Sequence, residues 1–192
     1  LIAFDIFICH PVFFAESQTE TELMFLDVGQ GDSTLLTFPG GVQVLTDAGP
    51  SRQVVNSLEK TIGRNDRYID LAVITHPQLD HYNGFNYLLK NYKFGAFLFN
   101  GSESENEEWK TLVTEITKRK IPLIIVGAGD RIRYAVRQGS PQENNQIDII
   151  SPDRLSVQSA EPNDAGIVEY VKTPLFKALL TADIGFSVEN YL

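Results

Sequence analysis

The sequence predicts a mixed α/β domain in which two β-sheets pack face to face with helices outside. Three observations predict it. Short strand-like segments separated by Gly and Pro turns fill 23–47, apolar strand segments alternate with amphipathic helix segments over 51–126, and strand-like segments return over 131–181. Sheets and helices that are apolar on one side must bury that side, and stacked sheets with outer helices satisfy this order. The 192 residues fit one domain, or one domain with a tail. A hydrophobic content of 43% and a charged content of 21% are those of an ordinary globular protein, so a sizeable core is available.

The chain begins with Leu1–Ala15, LIAFDIFICHPVFFA, a strongly apolar and aromatic stretch interrupted by Asp5, His10 and Pro11. It is short for a bilayer span. With Ala15-Glu16-Ser17 it reads as the end of a signal peptide or of a membrane segment, and so as a candidate membrane tether with an extracytoplasmic or membrane-associated location. The alternative is an N-terminal strand or apolar arm packed on the domain, with His10 a tail residue. Residues 18–22 form a polar, acidic linker, so 1–22 stand apart from a domain at 23–192.

Leu23–Val28 reads as a strand, Gly29-Gln30-Gly31-Asp32 as a tight turn, Ser33–Phe38 as its hairpin partner and Val42–Asp47 as a third strand. The glycine turn opens no helix and lacks the Lys-Ser of a phosphate loop, so a hairpin turn is the reading. Ser51 is placed to cap a helix over Arg52–Ile62, whose Val54, Val55, Leu58 and Ile62 share a face. Ile69–Ile74 is a buried strand, Tyr82–Leu89 a helix and Phe94–Phe99 a strand. The acidic 102–108 stretch reads as the solvated first turn of a helix that runs to Lys120, where negative charge near an N-terminus is favourable. Strands are expected at Ile121–Val126, Arg131–Val136 and Ile147–Ile150, with polar or irregular chain over 138–145 and 151–162. Gly166–Val171 and Leu175–Thr181 form a hairpin, and Gly185–Leu192 starts a helix.

Between the buried strand and the helix lies ITHPQLDHYNG, Ile74–Gly84, with two of the chain's three histidines. A strand-to-helix junction exposes side chains and helix N–H groups to a ligand. Imidazole beside carboxylate suits Zn, Mn or Fe. A capped helix, with Asp80 as N-cap and His81 in the first turn, explains the same residues equally well. Cys9 is the single cysteine, so no disulfide framework exists within the chain, and any metal site must draw on His, Asp and their neighbours. The net charge of −9 argues against broad electrostatic binding to nucleic acid or an anionic membrane, though a local basic patch would survive it.

FLDVGQGDS (Phe25–Ser33), LTDAG (Leu45–Gly49), ITHPQLDHYNG and LLTADI (Leu179–Ile184), in that order, resemble metallo-β-lactamase-fold hydrolases. DVGQGDS with a downstream THxxxDHxxG is more narrowly similar to the hydrolase domain of the ComEC/Rec2 competence proteins. The resemblance covers Leu23 to about Leu192. It implies a four-layer αββα sandwich with one or two divalent metals, Zn or Mn, at its edge. There a metal-bound water is deprotonated near neutral pH and attacks an ester or phosphodiester. It implies His76 as the first ligand of one metal, Asp80 and His81 as ligands of a second with Asp80 catalytic, and Asp183 at the bridging position. Gln78 stands where the family has His or Asp. Asp164 is the candidate ligand in a region where the family offers a third His. Asp47 would orient the loop ligands or be a simple turn residue, and Asp32 would shape the turn or lie near the site. The implied activity is a phosphodiesterase or nuclease acting on DNA during uptake. The family's later His-His-Gly-Ser loop has no counterpart before Leu192, so the resemblance implies an incomplete domain. Gln78 and the absent third His motivate the alternative, a degenerate module that binds or scaffolds without catalysis.

Overall fold

Strand alternation in this chain separates two cores. In the computed structural model, which describes residues 5–8, 20–134, 145–153, 157 and 161–192, the strands form two sheets. The first contains β2 (Glu22–Phe25), β3 (Thr34–Phe38), β4 (Val42–Thr46), β5 (Tyr68–Ile74), β6 (Lys93–Phe99) and β7 (Leu123–Ile125), hydrogen-bonded in that order. Its first three strands are antiparallel and its last four parallel, with β4 common to both runs. The second sheet runs β1 (Asp5–Ile8), β8 (Arg131–Tyr134), β9 (Gln146–Ser151), β10 (Val168–Lys172) and β11 (Lys177–Leu180). β1 joins β8 in parallel and the other pairs are antiparallel.

Successive residues of a strand face opposite sides. Leu35, Leu45, Ala72, Ile74 and Phe97 therefore pack against helices α1 (Gln53–Thr61), α2 (Leu79–Leu88) and α3 (Glu107–Lys118). Leu36, Val44, Leu71, Val73 and Leu98 face Ile132, Ile147, Ile149 and Val171 of the second sheet. The described residues thus supply helices, sheet and sheet, with the single turn α4 (Phe186–Glu189) after β11. No helix among them is long and apolar enough to cross a membrane. The sequence expectations for residues 1–4, 9–19 and 135–144, including His10 and the Ala15-Glu16-Ser17 step, lie outside the described residues. So does part of 151–162.

Several element bounds differ from the sequence expectation. β2 ends at Phe25 rather than Val28, because the chain leaves the ladder to enter the loop where Gly29 and Gly31 take positive φ. Helix α2 begins at Leu79, three residues early. Its cap residue is Gln78, whose carbonyl accepts the His81 and Tyr82 N–H groups at 3.0 and 3.2 Å. Asp80 is therefore inside the first turn and is not the N-cap. Arg52 occupies the α1 cap position, and Ser51 Oγ accepts the Gln53 N–H from one residue further out at 3.3 Å. The acidic stretch precedes α3 instead of forming its first turn, except for Glu107 and Glu108.

A carboxyl-bearing side chain lies between the sheets. Glu169 shares the inward face of β10 with Val171 and is fully buried. Its Oε2 accepts the Thr46 hydroxyl at 2.6 Å, and its Oε1 has no partner. Burial pushes this carboxyl up to about 7, opposed by the Thr46 hydrogen bond and aided by the Asp47 charge. A carboxyl raised on folding stabilises fully below its unfolded pKa, and that contribution fades as pH rises through the folded value. Between pH 5 and pH 8 the wild type should therefore lose up to about 3 kcal/mol relative to Glu169→Gln. Denaturant unfolding of both proteins at the two pH values checks this, and an equal pH slope would refute it.

Candidate metal centre

The parallel strands β4 and β5 end side by side, Thr46 paired with Val73, and their C-terminal ends carry the cluster. This is the edge of a parallel sheet where ligand sites are found. Asp47 follows β4 directly, is buried, and adopts a left-handed φ of 57°, a conformation that Asp tolerates better than most residues. Its Oδ1 accepts the Thr75 N–H at 2.9 Å. Its Oδ2 accepts the Thr75 hydroxyl at 2.7 Å and faces His81 Nδ1 at 2.8 Å. Ser33 Oγ donates to the Asp47 carbonyl at 2.9 Å and fixes the turn from the other side.

This network sets both histidine tautomers. Thr75 has one hydroxyl proton, and it goes to the Asp47 carboxylate. The 3.0 Å contact between Thr75 Oγ1 and His76 Nδ1 must then be an imidazole N–H donating to the hydroxyl oxygen. That leaves the lone pair on His76 Nε2, an atom that is buried and has no hydrogen-bond partner. His81 likewise donates from Nδ1 to Asp47, which leaves Nε2 pointing to Asp183 Oδ2 at 3.4 Å. The two rings lie 4.1 Å apart between centroids. One ligand atom from each of His76, His81 and Asp183 falls within 4.8 Å of the others. Two imidazole nitrogens and one carboxylate, with each imidazole fixed from behind, form a set that a divalent transition ion fits.

The electrostatics agree with a site that expects positive charge. Burial lowers His81, but its hydrogen bond to Asp47 and the charges of Asp47, Asp183 and Asp80 outweigh this and raise it to about 9. Burial and the His81 charge both push His76 below its ordinary value. Asp32, although exposed, is raised by partial desolvation; His81 opposes the shift and Asp47, Asp183 and Asp80 add to it.

The sequence candidates thus fall in different places. His76, His81 and Asp183 come together, and Asp47 lies directly behind His81. Asp80 is half-buried on the first turn of α2 and acts on His81 through its charge, outside the three-atom set. The Gln78 side-chain amide donates to Asn163 Oδ1. Asp164 accepts from Gly185 N at 3.1 Å and Ser187 Oγ at 2.9 Å, so it ties down the start of α4. Thr75, which orients both rings, was not among the candidates. Its signal was its position, a hydroxyl residue between a buried strand and His76.

Two glycines let the pieces approach. A Cβ on Gly84 would lie 1.9 Å from the Ala48 carbonyl oxygen, and one on Gly31 would lie 2.2 Å from that of Asp80. Only glycine lets α2 rest on the turn that carries Asp47 and lets the first hairpin loop rest on α2. Because Asp47 fixes the His81 ring, Asp47→Asn should weaken Zn²⁺ binding by about 10–100-fold. Competition with a chromophoric chelator measures this, and unchanged affinity would contradict the assigned role.

The sequence matches the family model described as the Metallo-beta-lactamase superfamily over residues 26–192. No curated protein matches. Among solved structures, similar chains include the chemotaxis sensor ODP described as a peroxy diiron species, with 16% identity, a TM-score of 0.44, and coverage of 80% of this chain and 56% of that one. Another is a HARLDQ-motif mutant of a metallo-beta-lactamase from Cronobacter sakazakii, with 16% identity, a TM-score of 0.44, and coverage of 82% and 58%. A third is a diphosphatase of the PhnP family, with 14% identity, a TM-score of 0.37, and coverage of 73% and 48%. The chain therefore spans about half the length of these structures, at 48–58% of each. With the family model covering most of its length, the chain belongs to the metallo-beta-lactamase superfamily.

Proposed function

We propose that this chain is a metal-dependent hydrolase of phosphodiester bonds, of the ComEC/Rec2 type, acting on DNA during uptake. One observation carries the reading: one ligand atom each of His76 and His81, rings held from behind by Thr75 and Asp47, lies within 4.8 Å of the Asp183 carboxylate. His76, His81 and Asp183 would hold the ion, with Zn or Mn as candidates suited to a mixed nitrogen and oxygen set. A divalent ion in such a set lowers the pKa of a water and polarises a phosphoryl oxygen. The protein's own groups do the rest. Asp47 and Thr75 hold the rings in place, and Asp32 lines the same cavity as both. Asp80 adds negative charge beside it.

The test is to load the chain with Mn²⁺ or Zn²⁺ and supply single-stranded DNA and bis(4-nitrophenyl) phosphate. Cleavage that a chelator abolishes is expected. Metal uptake with no cleavage of either substrate would overturn the reading in favour of a binding or scaffold module. That second reading draws on the amide of Gln78, engaged with Asn163, and on Asp164, engaged with Ser187, which leave few donors for further ions.

A further inference from the structure

A cavity of about 230 Å³ lies beside the ligand set, lined by Asp47 and Thr75, which hold the ligand histidines, and by Ala182, next to Asp183. Phe25, at the end of β2, and Leu179, on β11, also line it. Phe25 is 76% exposed and Leu179 48% exposed. Single exposed apolar side chains are common and need no explanation. Two that line one cavity together with the residues holding the ligand histidines are a different case. Among the described residues no Lys, Arg or His lines it, while Asp32 and Asp47 do, and Asp183 follows Ala182 of the lining.

These facts restrict what the cavity can accept. A phosphate at the ligand set would be neutralised by the ion there. A second phosphate inside the cavity would meet carboxylates with no counter-charge, at a cost that rises as water is excluded. An uncharged ring with apolar faces meets no such cost and can stack on Phe25, as bases do on exposed aromatic side chains. We infer that the Phe25–Leu179 cavity is a subsite for an uncharged, planar ring attached to the scissile phosphate, the base of a neighbouring nucleotide in a single strand. This inference rests on the phosphodiester reading above. It adds that nucleosides joined through one phosphate are preferred over polyphosphates, and that a base must be unstacked from a duplex before it enters.

The test uses the Mn²⁺-loaded chain and two ligands that share the phosphate and differ in the ring, thymidine 5′-monophosphate and methyl phosphate. Calorimetry should show the nucleotide binding at least about fivefold more tightly, and Phe25→Ala should reduce that ratio to within about twofold. Phe25 is largely exposed, so the variant should fold, and Leu179→Ser gives an independent wall variant. Equal affinities in the wild type, or a preference undiminished in both variants, would overturn the subsite. Hydrolysis of bis(4-nitrophenyl) phosphate by the same samples separates the two claims. Hydrolysis without nucleotide preference overturns the subsite alone. Nucleotide preference without hydrolysis overturns the hydrolase reading and supports the subsite.

Discussion

Asp183→Ala should reduce metal-dependent hydrolysis of bis(4-nitrophenyl) phosphate by at least about a hundredfold while leaving the fold in place. Asp183 is the carboxylate of the three-ligand set, its side chain is 41% exposed, and its contact with the cluster is the 3.4 Å approach to His81 Nε2. Removing it deletes no core packing, so unfolding should move by no more than about 0.5 kcal/mol, as for other surface substitutions. The loss of a ligand from an ion that stabilises transition-state charge by several kcal/mol is a different scale of effect, and a hundredfold corresponds to about 2.7 kcal/mol. The two histidines would be less clean probes, because both are buried and joined to Asp47 and Thr75. Steady-state kinetics with matched metal loading checks the prediction. A variant that keeps a third or more of the wild-type rate would remove Asp183 from the site.

Gly84→Ala should destabilise the chain by about 3 kcal/mol and weaken metal binding with it. Two effects compete here. Alanine in a helix interior is favoured over glycine by about 1 kcal/mol. Against this, the new Cβ would sit 1.9 Å from the Ala48 carbonyl oxygen and 2.7 Å from its carbon. The obstacle is backbone, so it cannot rotate away, and overpacking a tight contact costs about 1–3 kcal/mol or more. The steric term wins. The displaced element is α2, whose first turn carries His81 and whose Gly84 N–H donates to the Gly49 carbonyl at 2.8 Å. A shift there moves His81 away from Asp47. Denaturant unfolding and Zn²⁺ affinity measured on the same variant should fall together. A more stable variant would show that α2 can move without consequence.

How much of this was legible depends on the physics each feature obeys. The alternation of β5 and the apolar face of α1 fix which side of a strand or helix is buried, and such periodicities are written in the sequence. The joining of His76 to His81 was less legible. The sequence gives a five-residue spacing but not the reversal at Gln78, where the Gln78 N–H donates to the His76 carbonyl at 2.9 Å and brings the two rings together. Asp80 falls outside the three-atom set for a related reason. Adjacent residues on a helix are about 100° apart, so when Leu79 starts the helix, His81 turns inward to Asp47 and Asp80 turns to the side. Thr75 carried only a positional signal and Asn163 none, because their roles exist only through contacts made by folding. Glu169 shares β10 with Lys172, and burial rather than sequence distinguishes the two.

His76, His81 and Asp183 should form one ion site. The most direct test is a Zn²⁺ titration of the metal-stripped chain, followed by equilibrium dialysis and elemental analysis, in the wild type and in a variant with His76 and Asp183 both changed to Ala. One tightly held ion per wild-type chain and none in the double variant is the expected result. Two tightly held ions, or an ion retained in the double variant, would contradict it.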